Sequence, residues 1–292
     1  MRRTGTRAVR RGAAALALAA AGLAGAVAWV KADAHLARTR SGWALIRTRR
    51  LPDGTRVRVL RQGGVYQSAT YLDERRFEPP FAYQRAFDVM FEAEGDMRRA
   101  RVHGLGNVLA IGGGGYAWPK HTLCAQRDLR MDVVEIDAAV TRIARRWFFV
   151  DELERLACGR LRLIEADGRT YLEGAAPGSY DAIVNDTFAG SEPVVALATR
   201  EAMQAAHACL RAGGLYLANV VSRDEGEDLS FLRDVVATCA EVFAHVWVVP
   251  ATDEELGGED NYIVIASDDA YRFEEAIPFD DSFLGNVMRD RA

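Results

Sequence analysis

The sequence has little of what metal sites require. Its four cysteines stand far apart, with no Cys-x-x-Cys pair and no histidine at ligand spacing. Four histidines, His103, His121, His207 and His245, show no mutual spacing typical of a metal site or a catalytic triad. These patterns argue against zinc, and we predict no bound metal. We expect the cysteines to be buried as small apolar side chains.

An excess of positive charge is also missing. The chain has 37 Lys and Arg against 41 Asp and Glu, a net charge of -4, and its arginines are spread out except at the very start. Such a chain offers no electrostatic footprint for nucleic acid, so we predict no nucleic-acid partner. With 292 residues, 49% of them hydrophobic, it can bury the core of one large domain, or of a domain and a small lobe.

The first forty residues are of a different kind. Five arginines at positions 2–11 precede an uncharged run at 12–30, nineteen residues of which ten are alanine. We predict a signal peptide or membrane anchor over 1–40, with Ala-Asp-Ala at 32–34 as a candidate cleavage site. The chain would then be exported or attached to a membrane. The alternative is a cytoplasmic protein whose first residues are a mis-assigned start or a vestige of a membrane portion.

A small β lobe is predicted over 41–78. Segments 57–60 and 65–67 have strand-like composition and are separated by Gln62-Gly63-Gly64, which indicates a hairpin with a glycine turn. Pro79-Pro80 breaks the chain, and 83–93 has apolar residues at helical spacing. We predict that the main domain covers 79–292.

Four apolar runs in this main domain end in a glycine or an acid, at 107–115, 133–137, 165–168 and 180–186. Buried parallel strands have this appearance when their carboxyl ends line a ligand crevice. The first run ends in the glycines 112–115, a candidate phosphate or nucleoside loop in which Gly112, Gly113 and Gly114 are expected to contact the cofactor. Glu135 ends the second run, where an acid can bind two ribose hydroxyls. The order of these signals predicts a nucleoside-binding α/β domain.

Two folds share that start. Gly112-x-Gly114-x-x-Ala117 loosely satisfies the dinucleotide fingerprint, so a nicotinamide enzyme is one alternative. A further strand at 215–220 and two closing strands at 242–249 and 262–266 favour the other. We predict an α/β, class I methyltransferase-like (Rossmann-like) doubly wound sheet with a terminal antiparallel hairpin, preceded by the small β lobe.

Over residues 64–267 the chain resembles the spermidine synthases, the polyamine aminopropyltransferases, and its Gly-Gly-Gly-Gly-Tyr-Ala-Trp-Pro and Asp-Thr-Phe-Ala-Gly stretches are closest to the spermidine-synthase-like domains fused to multi-helix membrane proteins. The resemblance implies roles for a set of residues: Tyr83 contacts the amine acceptor, Gln67 and Gln84 contact the aminopropyl donor, Glu135, Asp167 and Gly168 contact the nucleoside, and Asp186 is the catalytic aspartate.

The resemblance implies a transferase that uses decarboxylated S-adenosylmethionine or a related adenosyl sulfonium. Its acceptor would be a small amine or other nucleophile, and its assembly a homodimer or homotetramer. Two acids of the family are missing, since Gly115 and Ala189 stand where carboxylates hold the amines. Activity on putrescine is therefore doubtful, although the acidic loop at 253–260 could replace the lost charge. Alternatives are an S-adenosylmethionine-dependent methyltransferase and a membrane-attached nucleoside-binding domain with little activity.

Asp186 carries the predicted chemistry. An alkylammonium has a pKa near 10.4, so it must lose a proton before its nitrogen attacks a carbon bonded to a sulfonium, and a fixed carboxylate can accept that proton. The other interpretation of Asp186 is a structural cap on a following helix.

Overall fold

The computed structural model describes residues 33–101, 104–189, 192–221, 228–251 and 261–291. The predicted run at 12–30 and the acidic loop at 253–260 lie outside these ranges. Within them, no helix combines the length and apolar character needed to cross a bilayer.

The N-terminal lobe is a four-stranded antiparallel meander, in the order β1-β2-β3-β4. Its strands are β1 Ala34–Thr39, β2 Gly42–Arg50, β3 Arg56–Gln62 and β4 Val65–Tyr71. The predicted hairpin is present between β3 and β4, with Gly63 and Gly64 both at positive φ in its turn. The lobe starts earlier than the predicted residue 41, because β1 pairs with β2 along its whole length.

The main domain is built on a seven-stranded sheet in the order β12-β13-β11-β8-β5-β6-β7. Its strands are β5 Asn107–Ile111, β6 Arg130–Glu135, β7 Leu161–Glu165, β8 Tyr180–Asn185, β11 Leu210–Val221, β12 His245–Pro250 and β13 Asn261–Ser267. A short hairpin, β9 Phe188–Ala189 with β10 Glu192–Pro193, follows β8. Neighbouring strands from β7 to β11 are parallel, while β13 is antiparallel to both β11 and β12. The predicted doubly wound, methyltransferase-like fold is confirmed.

Helices cover both faces of this sheet. They are α1 Ala82–Ala86, α2 Glu94–Arg101, α3 Ala117–Ala125, α4 Ala138–Trp147, α5 Val150–Ala157, α6 Gly168–Gly174, α7 Arg200–Cys209 and α8 Ser230–Ala240, with 3₁₀ turns at Phe87–Ala93, Val195–Leu197 and Asp281–Phe283. The helical pattern predicted over 83–93 is thus α1 followed by a 3₁₀ turn.

Alternating side chains of the strands pack into two hydrophobic cores, one on each face of the sheet. Val108 and Ala110 of β5 pack with α3, α4 and α5, and Leu109 and Ile111 pack with α6, α7 and α8. Ile46 and Leu60 of the lobe belong to the first core, so the lobe and the main domain share one interior. The expectation for the cysteines is half wrong, since Cys209 and Cys239 are buried but Cys124 and Cys158 lie at the ends of α3 and α5 and are exposed.

Candidate active site

The site is a cavity of about 210 Å³ between the lobe and the carboxyl ends of β5, β6, β8 and β11. Every residue assigned to the site from the sequence lines it, namely Gln67, Tyr83, Gln84, Gly112, Gly113, Gly114, Glu135, Asp167, Gly168 and Asp186. These residues come from six different segments, and the parallel strands bring them to one edge of the sheet.

The glycine loop is set first by packing. Gly112 has φ +96°, and a Cβ atom there would lie 2.1 Å from the main-chain oxygen of Asp186. No other residue fits this position, because both the backbone angle and the neighbouring carbonyl exclude a side chain. A backbone hydrogen bond holds Asp186 beside the loop, since the Asp186 N–H donates to the Ile111 oxygen across 2.9 Å.

Glu135 braces this loop from the end of β6. One carboxylate oxygen accepts the N–H groups of Gly113 and Gly114, at 2.9 and 3.3 Å, and the other accepts the N–H of Asp137 at 2.9 Å. Burial raises the pKa of Glu135, while the three backbone donors act in the opposite direction. A carboxylate has about four acceptor positions, and these three bonds leave one on the Oε1 atom, so Glu135 can also receive a hydroxyl group of a ligand.

Asp167 and Gly168 form a wall of the cavity, which we call the nucleoside wall. Asp167 is the N-cap of α6, where its Oδ1 atom accepts the Thr170 N–H at 2.9 Å and the Thr170 hydroxyl at 3.0 Å. A Cβ atom on Gly168 would lie 2.5 Å from the Cγ2 atom of Ile111, so the start of α6 packs directly against β5. A flat ring can approach this wall closely because Gly168 presents no side chain.

Asp186 lies at the end of β8, and Asn219 of β11 stands beside it. Asn219 Nδ2 donates to Asp186 Oδ1 across 3.0 Å. Burial raises the pKa of Asp186 to about 6, although the bond from Asn219 lowers it. The chain continues from Asp186 into β9 and not into a helix, so the helix-cap interpretation is wrong.

Two buried carbonyl oxygens point to a missing partner. Gln84 is 4% exposed and Asn219 is 8% exposed. The Gln84 amide nitrogen donates to the Tyr83 hydroxyl at 3.3 Å, but its Oε1 atom and the Asn219 Oδ1 atom have no hydrogen-bond partner among the described residues. Buried acceptors are normally satisfied, so both indicate ligand groups that donate hydrogen bonds.

Gly115 and Ser68 meet at the lobe side of the cavity. A Cβ atom on Gly115 would lie 2.4 Å from the Ser68 hydroxyl oxygen, so the serine occupies the space of a side chain at 115. Ser68 is 1% exposed, and its hydroxyl has no partner in the described part of the chain. The cavity therefore carries a neutral hydroxyl where the family pattern predicts a carboxylate.

The charge of the cavity is one-sided. Among the described residues that line it, four are carboxylates, Glu135, Asp137, Asp167 and Asp186, and none is Lys or Arg. This lining suits a cationic sulfonium or amine and opposes a pyrophosphate, which a dinucleotide would bring. The electrostatics therefore favour a sulfonium enzyme over a nicotinamide enzyme.

Sequence reasoning missed Asn219 and Ser68. Asn219 is a polar residue near the end of an otherwise apolar strand, Leu215 to Val220, and this signal was available. Ser68 gives no comparable signal, because only the packing of β4 against the glycine loop brings it to the cavity.

Comparisons with known proteins indicate the family of this chain. A family model described as spermine/spermidine synthase domain matches residues 99–268. Spermidine synthase 2 of Arabidopsis thaliana is 29% identical over 140 residues, and putrescine N-methyltransferase 3 of Nicotiana tabacum is 29% identical over 114 residues. These alignments span 47% and 39% of this chain but only 39% and 29% of the relatives.

A solved structure matches more completely. The crystal structure of a probable spermidine synthase from Corynebacterium glutamicum superposes with a TM-score of 0.66 at 26% identity. The match covers 82% of this chain and 81% of that one. The likeness therefore includes both the sheet domain and most of the rest of the chain.

Proposed function

Because the chain belongs to the spermine/spermidine synthase domain family, we propose that it transfers an alkyl group from an adenosyl sulfonium to a small amine. The donor we propose is decarboxylated S-adenosylmethionine, and the transferred group is then aminopropyl. The family supports this donor, and the acceptor we propose is a small amine.

One observation carries the proposal. An acidic cavity holds two sets of groups. Glu135, Asp167 and the glycine loop suit a nucleoside, and beside them lies Asp186, a half-buried carboxylate whose pKa is about 6. A group of that pKa is mostly ionised at neutral pH and can still accept a proton. Binding and proton removal are thus available in the same place.

The reaction follows from these positions. The acceptor nitrogen attacks the carbon bonded to sulfur, a nitrogen–carbon bond forms, and the carbon–sulfur pair returns to sulfur to give neutral methylthioadenosine. Asp186 takes the proton that the amine loses. The free Oδ1 atom of Asn219 and the Oε1 atom of Gln84 are suited to receive N–H groups and so to orient the amine or donor.

Gly115 favours a second candidate, methyl transfer from S-adenosylmethionine itself. Ser68 fills this position and no carboxylate is present there. The cavity therefore lacks a negative charge that would pair with the ammonium group of decarboxylated S-adenosylmethionine and repel the carboxylate of S-adenosylmethionine. A putrescine N-methyltransferase is among the relatives, which supports the same candidate. The two reactions share the nucleoside wall and Asp186 and differ in the donor.

Calorimetric titration with methylthioadenosine, S-adenosylmethionine and its decarboxylated form tests both. We expect the protein to bind methylthioadenosine and to prefer one of the two sulfonium donors. Mass spectrometry of mixtures of that donor with putrescine and other amines then identifies the transferred group. Binding without any product would support a nucleoside-binding domain, and no binding of any of the three would overturn the proposal.

The family also suggests a homodimer or homotetramer. We keep this assembly as a proposal that sedimentation of the purified protein can test.

A further inference from the structure

The nucleoside wall of the cavity is a junction between two short elements. Gly168 begins α6, and Leu197 ends the 3₁₀ turn Val195–Leu197. Both residues line the cavity, and a Cβ atom on Gly168 would lie 3.3 Å from the Leu197 Cδ1 atom. The distance between α6 and the turn therefore sets the width of this wall.

Arg169 joins the two elements from behind. Its Nη1 atom donates to the Ala196 main-chain oxygen at 3.2 Å and to the Thr199 hydroxyl at 3.1 Å. The Arg169 side chain is only 17% exposed, so it is packed in place over most of its length. It is also the residue directly after Gly168, so its backbone continues the wall.

Asp290 fixes the guanidinium group. Its two carboxylate oxygens accept from Arg169 Nη1 at 3.2 Å and Nη2 at 2.8 Å, a bidentate pair. Oδ1 also accepts the Thr199 hydroxyl at 2.8 Å. The Asp290 carboxylate thus holds both the arginine and the residue that N-caps α7.

The chain around Asp290 has other anchors. The Met288 oxygen accepts the Arg200 N–H at 2.8 Å, the Met288 N–H donates to the Thr238 hydroxyl at 3.0 Å, and the Asp290 N–H donates to Glu201 at 2.9 Å. None of these bonds uses the Asp290 carboxylate. Its removal should therefore loosen the Nη1 and Nη2 end of Arg169, whose Nε atom still donates to Glu173 Oε1 at 2.7 Å. The C-terminal segment should stay on α7 and α8.

We propose that Asp290 is a positioning residue for the nucleoside wall and acts through Arg169. This inference rests on the proposed function, because it names the residue that tunes affinity for the adenosine part of the ligand. Asp290 lies on a C-terminal segment that has no residue in the cavity lining, and through Arg169 it would set the affinity of the cavity for its ligand.

The test is a cycle of Asp290→Ala, Arg169→Ala and the double variant, titrated with methylthioadenosine. We expect each single change to raise Kd about tenfold, and the double change to cost no more than Arg169→Ala alone. Asp290→Glu should recover most of the affinity. Glu154→Ala is the matched control, since Glu154 forms a bidentate pair with Arg145 outside the cavity lining.

Amide hydrogen exchange of the ligand-free protein gives a readout that needs no ligand. Asp290→Ala should speed exchange over 194–199 by about tenfold and leave β5 unchanged, because only the turn loses its brace. Unchanged exchange there, or a Kd within twofold of the parent, would overturn the inference. If the parent binds no methylthioadenosine the proposed function fails, and the exchange result alone decides whether Asp290 holds the turn.

Discussion

Asn219 on β11 donates a hydrogen bond from Nδ2 to the Oδ1 atom of Asp186 across 3.0 Å. The parallel register explains this pairing, because Ala218 is level with Asn185 and the next residues on the two strands meet at the cavity. The bond fixes one carboxylate oxygen and leaves the other for an incoming amine. This bond lowers the pKa of Asp186, against the effect of burial.

The first prediction concerns pH. Asp186 must be ionised to act as a base, so kcat/KM should fall as pH drops below about 6, its pKa in the folded protein. Asn219→Ala removes a bond that lowers this pKa, and the acidic limb of the profile should move to higher pH. Asp186→Asn should lower the rate by about 10²-fold or more at every pH. An unshifted limb in Asn219→Ala would show that Asn219 does not tune the base.

A second prediction concerns nucleoside affinity. Glu135→Ala removes the acceptor for ribose hydroxyls together with the brace on Gly113 and Gly114, so binding of methylthioadenosine should weaken by about 2 to 4 kcal/mol in calorimetry. The fold should survive, which a thermal scan checks, and the surface change Glu154→Gln serves as control. Unchanged affinity in Glu135→Ala would show that the crevice assignment is wrong.

A third prediction follows from Lys120, which is fully buried. Its ammonium nitrogen donates to the Thr70 hydroxyl at 2.9 Å and the Phe148 oxygen at 3.1 Å, both neutral groups. Burial lowers the pKa of Lys120 from 10.5 to about 7. Between these two values the unfolded chain binds more protons than the folded one, so the free energy of unfolding should rise with pH across that window.

Urea unfolding at pH 6.5 and pH 9.5 measures this effect. We expect the parent to gain up to about 3 kcal/mol more than Lys120→Met over this interval, because methionine fills similar space and cannot titrate. Other titrating groups are common to both proteins and cancel in the comparison. Equal gains in the two proteins would mean that folding does not lower the pKa of Lys120.

The strand ends could be predicted from the sequence because buried parallel strands leave a local signature, an apolar run that stops at Gly, Glu or Asp. That signature gave the cavity residues Gly112, Glu135 and Asp186 without any knowledge of packing. The pairing of Asn219 with Asp186 could not be read in the same way. It depends on the register of β11 against β8, two strands separated by a helix.

Contacts between the lobe and the sheet were equally hidden. Composition places the end of the signal peptide or membrane anchor at residue 40, which includes β1. Only the pairing of β1 with β2 shows that this strand belongs to the lobe. Gly115 is a second example, because the sequence does not show which side chains surround it. The structure shows that space is the limit, since Gly115 is not at positive φ and Ser68 lies in the way.

The last prediction uses this space to choose the donor. In the parent, spermidine formation from putrescine should be slower than about one turnover per second, because Gly115 and Ala189 supply no charge for the ammonium groups. Gly115→Asp alone should destabilise the fold, since its Cβ atom would lie 2.8 Å from the Ser68 Cβ atom and 3.0 Å from Phe148. Adding Ser68→Gly removes the first clash and leaves only the tight contact with Phe148.

The double variant Gly115→Asp plus Ser68→Gly should therefore shift the donor preference toward decarboxylated S-adenosylmethionine. Its new carboxylate can pair with the aminopropyl ammonium and repels the carboxylate of S-adenosylmethionine. Gly115→Asn plus Ser68→Gly is the matched control, because it has the same shape without the charge. Calorimetry gives the ratio of the two donor affinities, and we expect it to rise about tenfold in the Asp variant relative to the Asn variant. Equal ratios would place the donor's amino end elsewhere in the cavity, and the loss of an acid at 115 would then no longer explain a preference between the two donors.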